Sequence, residues 1–123
     1  PLPSFDLLLL GMGADGHIAS LFPGAPEIAE TKRLVCATQA EHAGWRRLTF
    51  TLPLINAARK VMFLITGESK AAPLRQMMES DREPSLPAAR VRPSHGNLII
   101  LADGAAGALL NPNLLSGWRV GKA

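Results

Sequence analysis

Three short apolar runs punctuate the chain: Leu-Leu-Leu-Leu at residues 7–10, Val-Met-Phe-Leu-Ile at 61–65 and Leu-Ile-Ile-Leu at 98–101. None alternates with polar residues, as a strand with one wet face would. A continuous run of this kind predicts a strand covered on both faces, as in a parallel sheet flanked by helices. Residues 33–37 are a weaker strand candidate, and 48–51 form a short extended piece. Helical signals fall between the runs. Residues 52–59 open with Thr51 in the N-cap position and Pro53 in the first turn. Residues 69–80 place Ala71, Leu74, Met77 and Met78 at helical spacing, with Pro73 in the tolerant first turn. Residues 103–110 form an Ala/Gly-rich helix capped by Asp103. Residues 17–22 leave room for a turn or two of helix before Pro23-Gly24 stops it, and 25–32 form a short surface helix. Residues 41–47 and 81–92 read as loops, and the tail from residue 111 is polar with little pattern. Alternating strands and helices predict an α/β fold, a three-layer, Rossmann-like sandwich with a mostly parallel sheet. Ligands of such sheets sit beyond the carboxyl ends of the strands. The loops after Leu10, Ile65 and Leu101 are therefore the ones to search for chemistry.

Composition narrows the classes. At 123 residues the chain suits one domain, and 47% apolar residues suffice for a core, which excludes disorder. No apolar run is long enough to span a membrane. The net charge is +3, but the Lys and Arg residues are scattered, which disfavours nucleic acid and suits small anionic substrates. Cys36 is the single cysteine, so no internal disulfide forms, and a reducing cytoplasm is the compatible setting. His42 and His95 lie in loops without partner patterns and read as surface. No His, Cys and carboxylate set has metal-ligand spacing.

The first candidate loop carries the chemistry. Gly11, Gly13 and Gly16 spell G-x-G-x-x-G directly after an apolar run, which taken literally is a dinucleotide fingerprint. That reading fails on length: the crossover needs a helix of about a dozen residues, and Pro23-Gly24 stops this one after about half as many. Gln39 and Glu41 are also poorly placed as a ribose-binding acid. The alternative is hydrolytic or isomerising chemistry. Backbone N–H groups of the glycine turn face an oxyanion or a sugar oxygen. His17 lies at a helix start, where the dipole favours neutral imidazole, a competent general base. Asp15 orients the histidine or a substrate hydroxyl, or merely caps the helix.

The stretch GMGADGHIASLFPG (residues 11–24) closely resembles the signature of the 6-phosphogluconolactonases, grouped with the glucosamine-6-phosphate isomerases and deaminases in one sugar-phosphate superfamily. RLTFTLPLINAARKVMFLITGESKA (47–71) is a second match and LPAARVRPSHGNLIILADGAAGALL (86–110) a weaker third. The Ala-Ser-Leu-Phe-Pro-Gly after the histidine is lactonase-like, whereas deaminases tend toward Asn-Glu-Pro-Gly. The resemblance implies a sugar-phosphate isomerase/CoA-transferase-like fold. It also implies cofactor- and metal-free hydrolysis of 6-phospho-D-glucono-1,5-lactone in the oxidative pentose phosphate pathway. His17 would be the base on water and Asp15 its partner, with Gly11, Gly13 and Gly16 around the substrate. Lys70 of Gly-x-x-Lys-Ala would hold the phosphate, and Arg47 is a second substrate contact. An isomerase/deaminase-like enzyme, or a non-catalytic sugar-phosphate-binding fragment, is the alternative. Full-length members carry an N-terminal Gly-Gly-Ser/Thr phosphate loop, and no Gly-Gly pair occurs here. The expectation is thus a single domain over residues 1–123 resembling the C-terminal half of a lactonase. Its sheet would expose an edge and an apolar face, to be covered by a homodimer partner or by the missing half.

Overall fold

A computed structural model describes residues 2–79 and 86–122. The end of the expected 69–80 helix and the first part of the expected 81–92 loop lie outside the described residues. Three strands, β1 (Leu8–Leu10), β4 (Lys60–Ile65) and β5 (Asn97–Ala102), form a parallel sheet in the order β1-β4-β5. Leu10 pairs with Phe63, and Phe63 with Ile100. Strands β2 (Val35–Ala37) and β3 (Leu48–Phe50) make a separate antiparallel pair, with Cys36 opposite Thr49. Helix α1 (Leu52–Asn56) follows β3, and α2 (Ala71–Glu79) follows β4 through a 3₁₀ turn at Glu68–Lys70.

The parallel register sorts the sheet's side chains onto two faces. Val61, Phe63 and Ile65 are fully or almost fully buried against Ile18, Leu21, Ile55 and Leu74. Phe63, with none of its surface exposed, contributes about 1.5–3 kcal/mol through burial alone. The other face carries Leu9, Leu64 and Leu101, which are 55%, 50% and 37% exposed. The fold is therefore α/β with a parallel sheet, as expected, and among the described residues one of the sandwich's outer layers is missing. Continuous apolar runs do not tell a covered face from an open one, and so the two-sided burial expected for these strands holds on one side only.

Three local expectations change. Residues 17–22 are not helical: Ile18 and Leu21 exchange backbone hydrogen bonds of 3.3 and 2.8 Å across a tight turn, with Ala19 in the left-handed region at φ 48°. Pro23 follows too closely for a helical turn to close, so no helix dipole acts on His17. Residues 103–110 form successive hydrogen-bonded turns rather than a helix, consistent with the poor helix propensity of Gly104 and Gly107. Asp103 nevertheless caps, accepting from Ala106 N–H at 2.8 Å, and also binds Gly67 N–H at 3.1 Å. Thr51 stands at the start of α1, but its hydroxyl donates to the Arg33 carbonyl at 2.7 Å instead of capping. The bond ties α1 to the entry of β2. Cys36 is buried, and burial, reinforced by Glu27 and Glu30, pushes its thiol up. No helix among the described residues is long and apolar enough to cross a membrane.

Candidate active site

The chain leaves β1 at Leu10 and turns at once, so residues 11–19 lie at the carboxyl end of the parallel sheet. The loop is closed by its own backbone. Gly13 N–H donates to the His17 carbonyl and Gly16 N–H to the Gly13 carbonyl, both at 2.9 Å. These two N–H groups hold the turn together and are not free oxyanion donors, contrary to the simplest reading of a glycine-rich loop. Gly16 has φ +82°, and a Cβ there would come within 2.5 Å of Leu86. It is buried, and its carbonyl accepts from Ala88 N–H at 3.1 Å. Gly16 thus packs the loop onto the 3₁₀ turn at Pro87–Arg90, behind the site.

The turn brings Asp15 back onto His17. Asp15 Oδ1 accepts from His17 N–H at 3.1 Å and lies 2.6 Å from His17 Nδ1. Partial burial raises the Asp15 carboxyl, but hydrogen bonds from the His17 backbone and ring, with the attraction of that ring, outweigh it and hold the group below its ordinary value. An ionised carboxylate only accepts hydrogen bonds, so Nδ1 carries the proton and the lone pair of the neutral imidazole is on Nε2. Gly13 makes this approach feasible. A Cβ at that position would overlap Nδ1 and Cε1 of His17 and stand 2.7 Å from Asp15 Oδ1. One face of the imidazole stacks on Phe22, with ring centroids 4.5 Å apart.

A cleft of about 460 Å³ opens here, lined among others by Gly11, Met12, Gly13, His17 and Lys70. Lys70 arrives from the 3₁₀ turn after β4, and its Nζ donates to the Met12 carbonyl. His17 and Lys70, 53 positions apart in sequence, thereby face one space, as the carboxyl-end rule anticipates. Gly11 borders the cleft, with nothing within 4 Å of where a side chain would point. A larger open groove of about 1360 Å³ is lined by Ser4, Ala58, Arg59 and Ser94, which precede β1, β4 and β5. It lies at the amino ends of the strands, away from this chemistry.

Arg47 does not line the cleft. Its guanidinium donates to the His42 carbonyl at 3.3 Å and sits 5.8 Å from the Phe22 ring centroid. His42, read from sequence as surface, is half-buried; its ring stacks on Phe22 at 3.5 Å and its Nε2 is buried without a hydrogen-bond partner among the described residues. Phe22 and His42 are the residues sequence reasoning missed. Phe22 lay inside the quoted motif, but nothing in linear spacing links it to a hairpin loop twenty residues on. Among the described residues, no group of three His, Cys, Asp or Glu side chains is placed to hold a metal ion.

The parallel sheet, with a His–Asp pair beside a cleft at its carboxyl end, defines an α/β protein whose candidate site lies in the loop after the first strand. The model of the family described as glucosamine-6-phosphate isomerases/6-phosphogluconolactonase matches residues 1–100, and the chain belongs to that family. It is 46% identical over 110 residues to the 6-phosphogluconolactonase of Homo sapiens, covering 89% of this chain and 43% of that protein. Its identity to the enzyme of Synechocystis sp. is also 46% over 110 residues, with 89% and 45% covered. The structure of 6-phosphogluconolactonase from Trypanosoma brucei superimposes with a TM-score of 0.77 at 32% identity, over 89% of this chain and 43% of that one. The chain thus spans less than half the length of the relatives it matches.

Proposed function

We propose that this chain carries the water-activating part of a 6-phosphogluconolactonase, hydrolysing 6-phospho-D-glucono-1,5-lactone to 6-phosphogluconate. The observation that carries the reading is the 2.6 Å contact between Asp15 Oδ1 and His17 Nδ1 at the edge of a cleft shared with Lys70. Nε2 takes a proton from water as its oxygen attacks the lactone C1 carbonyl. Asp15 stabilises the imidazolium that results. The tetrahedral intermediate collapses with cleavage of the bond from C1 to the ring oxygen, and the imidazolium returns its proton to that oxygen. Neither step calls on a metal or an organic cofactor. The Lys70 ammonium is the group for the 6-phosphate, by a charge-assisted hydrogen bond. Gly11 lets substrate approach the backbone and Gly13 makes room for the His17 ring beside it, while Arg47 acts one ring removed, through Phe22.

The isomerase/deaminase alternative shares the fold family, but the lactonase names of the relatives at 46% identity favour hydrolysis of a lactone. A cytoplasmic setting accords with one unpaired cysteine. A second copy of the chain, or a polypeptide equivalent to the rest of the relatives' fold, would cover Leu9, Leu64 and Leu101. The test is to offer the intact chain the lactone and, separately, glucosamine-6-phosphate, measuring 6-phosphogluconate and ammonia. Lactone opening above the spontaneous rate with no ammonia is the expected result. Ammonia release, or 6-phosphogluconate binding without turnover, would replace the proposal by the deaminase or the binding-fragment reading respectively.

A further inference from the structure

Asp15 and Gly13 restrain His17 along one edge of its ring, but neither prevents the imidazole from swinging about χ1 and χ2 away from the carboxylate. A further restraint is Phe22, five residues on, beyond the tight turn of Ile18 and Leu21. Its ring lies 4.5 Å from the imidazole with 27° between planes. Phe22 is itself clamped: His42 stacks on it at 3.5 Å and 12°, and Arg47 sits 5.8 Å from its centroid. Both come from the segment joining β2 to β3, whose ends are fixed by Thr38. Thr38 N–H donates to the Arg47 carbonyl at 2.7 Å, and its hydroxyl accepts from Arg47 N–H at 3.0 Å. The loop is pinned to the same hairpin a second time, where Ser20 N–H donates to buried Thr49 Oγ1 at 3.0 Å.

We propose that Phe22 is a positioning residue for His17: its ring, backed by His42 and Arg47 of the hairpin, is the wall that keeps the imidazole on the Asp15 carboxylate. This rests on the reading of His17 as the base, and it extends the site to a hairpin that does not line the cleft. Stacking on Phe22 also holds the His42 ring by its face. The groups that face the imidazole or its wall are Asp15 from the same loop, Lys70 across the cleft, and His42 and Arg47 behind Phe22.

The test compares the full chain with Phe22→Leu and Phe22→Tyr, using imidazole NMR and lactone kinetics. In the wild type, the His17 ring protons should show the ring-current shift of a stacked aromatic neighbour, and the ring nitrogens a single Nδ1–H tautomer. Phe22→Leu should abolish the shift, mix the tautomers and lower kcat about 2- to 10-fold with KM unchanged, the size expected for loss of one aromatic pair. Phe22→Tyr keeps a ring and should restore both readouts, whereas a merely structural loss in Phe22→Leu would leave the tautomer signals of the folded fraction intact. A wild-type tautomer spectrum and kcat in folded Phe22→Leu, or failure of Phe22→Tyr to restore them, would overturn the proposal. The NMR readout needs no turnover: an inactive His17→Ala with an unperturbed ring in Phe22→Leu would refute the wall alone, while a displaced ring with a fully active His17→Ala would refute the base alone.

Discussion

Replacing Gly13 by alanine tests the tightest packing in the site. The added methyl would occupy space already taken by Nδ1 and Cε1 of His17 and would lie 2.7 Å from Asp15 Oδ1. The obstructing group is no flexible chain end; it is a ring fenced by Asp15 at 2.6 Å on one edge and by Phe22 at 4.5 Å on one face. The imidazole can escape only by leaving the carboxylate. A hydrogen bond to a charged group is worth about 1.5–3 kcal/mol. If that amount is lost from the step that makes imidazolium, kcat falls by about 10- to 100-fold. The unfolded chain loses conformational freedom when glycine is replaced, which offsets about 0.4–1 kcal/mol of the strain the methyl introduces. The assay is lactone hydrolysis with the spontaneous rate subtracted, with thermal melts alongside. Gly104→Ala, where a Cβ meets nothing within 4 Å, serves as the control and should leave kcat unchanged. A Gly13→Ala protein with wild-type kcat would show that the His17–Asp15 contact does not matter to turnover.

Other consequences can be measured in the same preparation. Lys70→Met removes the ammonium at the cleft and should raise KM about 10- to 100-fold, the loss of one charge-assisted contact, with a smaller effect on kcat; steady-state kinetics decide this. Phe63→Ala empties a fully buried position in the central strand and should destabilise the fold by about 3–5 kcal/mol in urea titration. Hydrogen bonds from Ala106 and then Gly67 hold the Asp103 carboxyl below its ordinary value of 3.8. Its stabilising contribution is therefore complete above that value and lost as pH falls through the lower folded-state value. Stability of Asp103→Asn, measured from pH 6 down to pH 2, should fall less steeply in the acid range than that of the wild type.

The parallel sheet was legible because its three strands are continuous apolar runs, and the site because Asp15-Gly16-His17 follows the first of them directly. Lys70 was singled out through the resemblance, since a lone Lys after a strand otherwise reads as solvated surface, although it lies just beyond the carboxyl end of the neighbouring strand, where the topology collects ligand-binding groups. What could not be read depended on contacts between segments. The 17–22 helix failed because Ile18 and Leu21 bond to each other across a turn, a choice the local pattern leaves open. The 103–110 helix failed because Asp103 caps equally well a run of turns. Arg47 was singled out as a second substrate contact, yet it packs on Phe22, and only the hairpin's path across the 17–22 loop reveals that neighbour. The open face of Leu9, Leu64 and Leu101 was expected from the resemblance and not from the runs themselves, which look alike whether covered on one side or two.

The base assignment is tested most directly by one rate comparison: hydrolysis of 6-phospho-D-glucono-1,5-lactone at pH 7 by the intact chain and by His17→Ala, each corrected for uncatalysed opening. Loss of a positioned general base should lower the corrected rate roughly 100- to 10,000-fold, which brings the variant close to the spontaneous background. Equal corrected rates for the two proteins would contradict the assignment of His17 as the base.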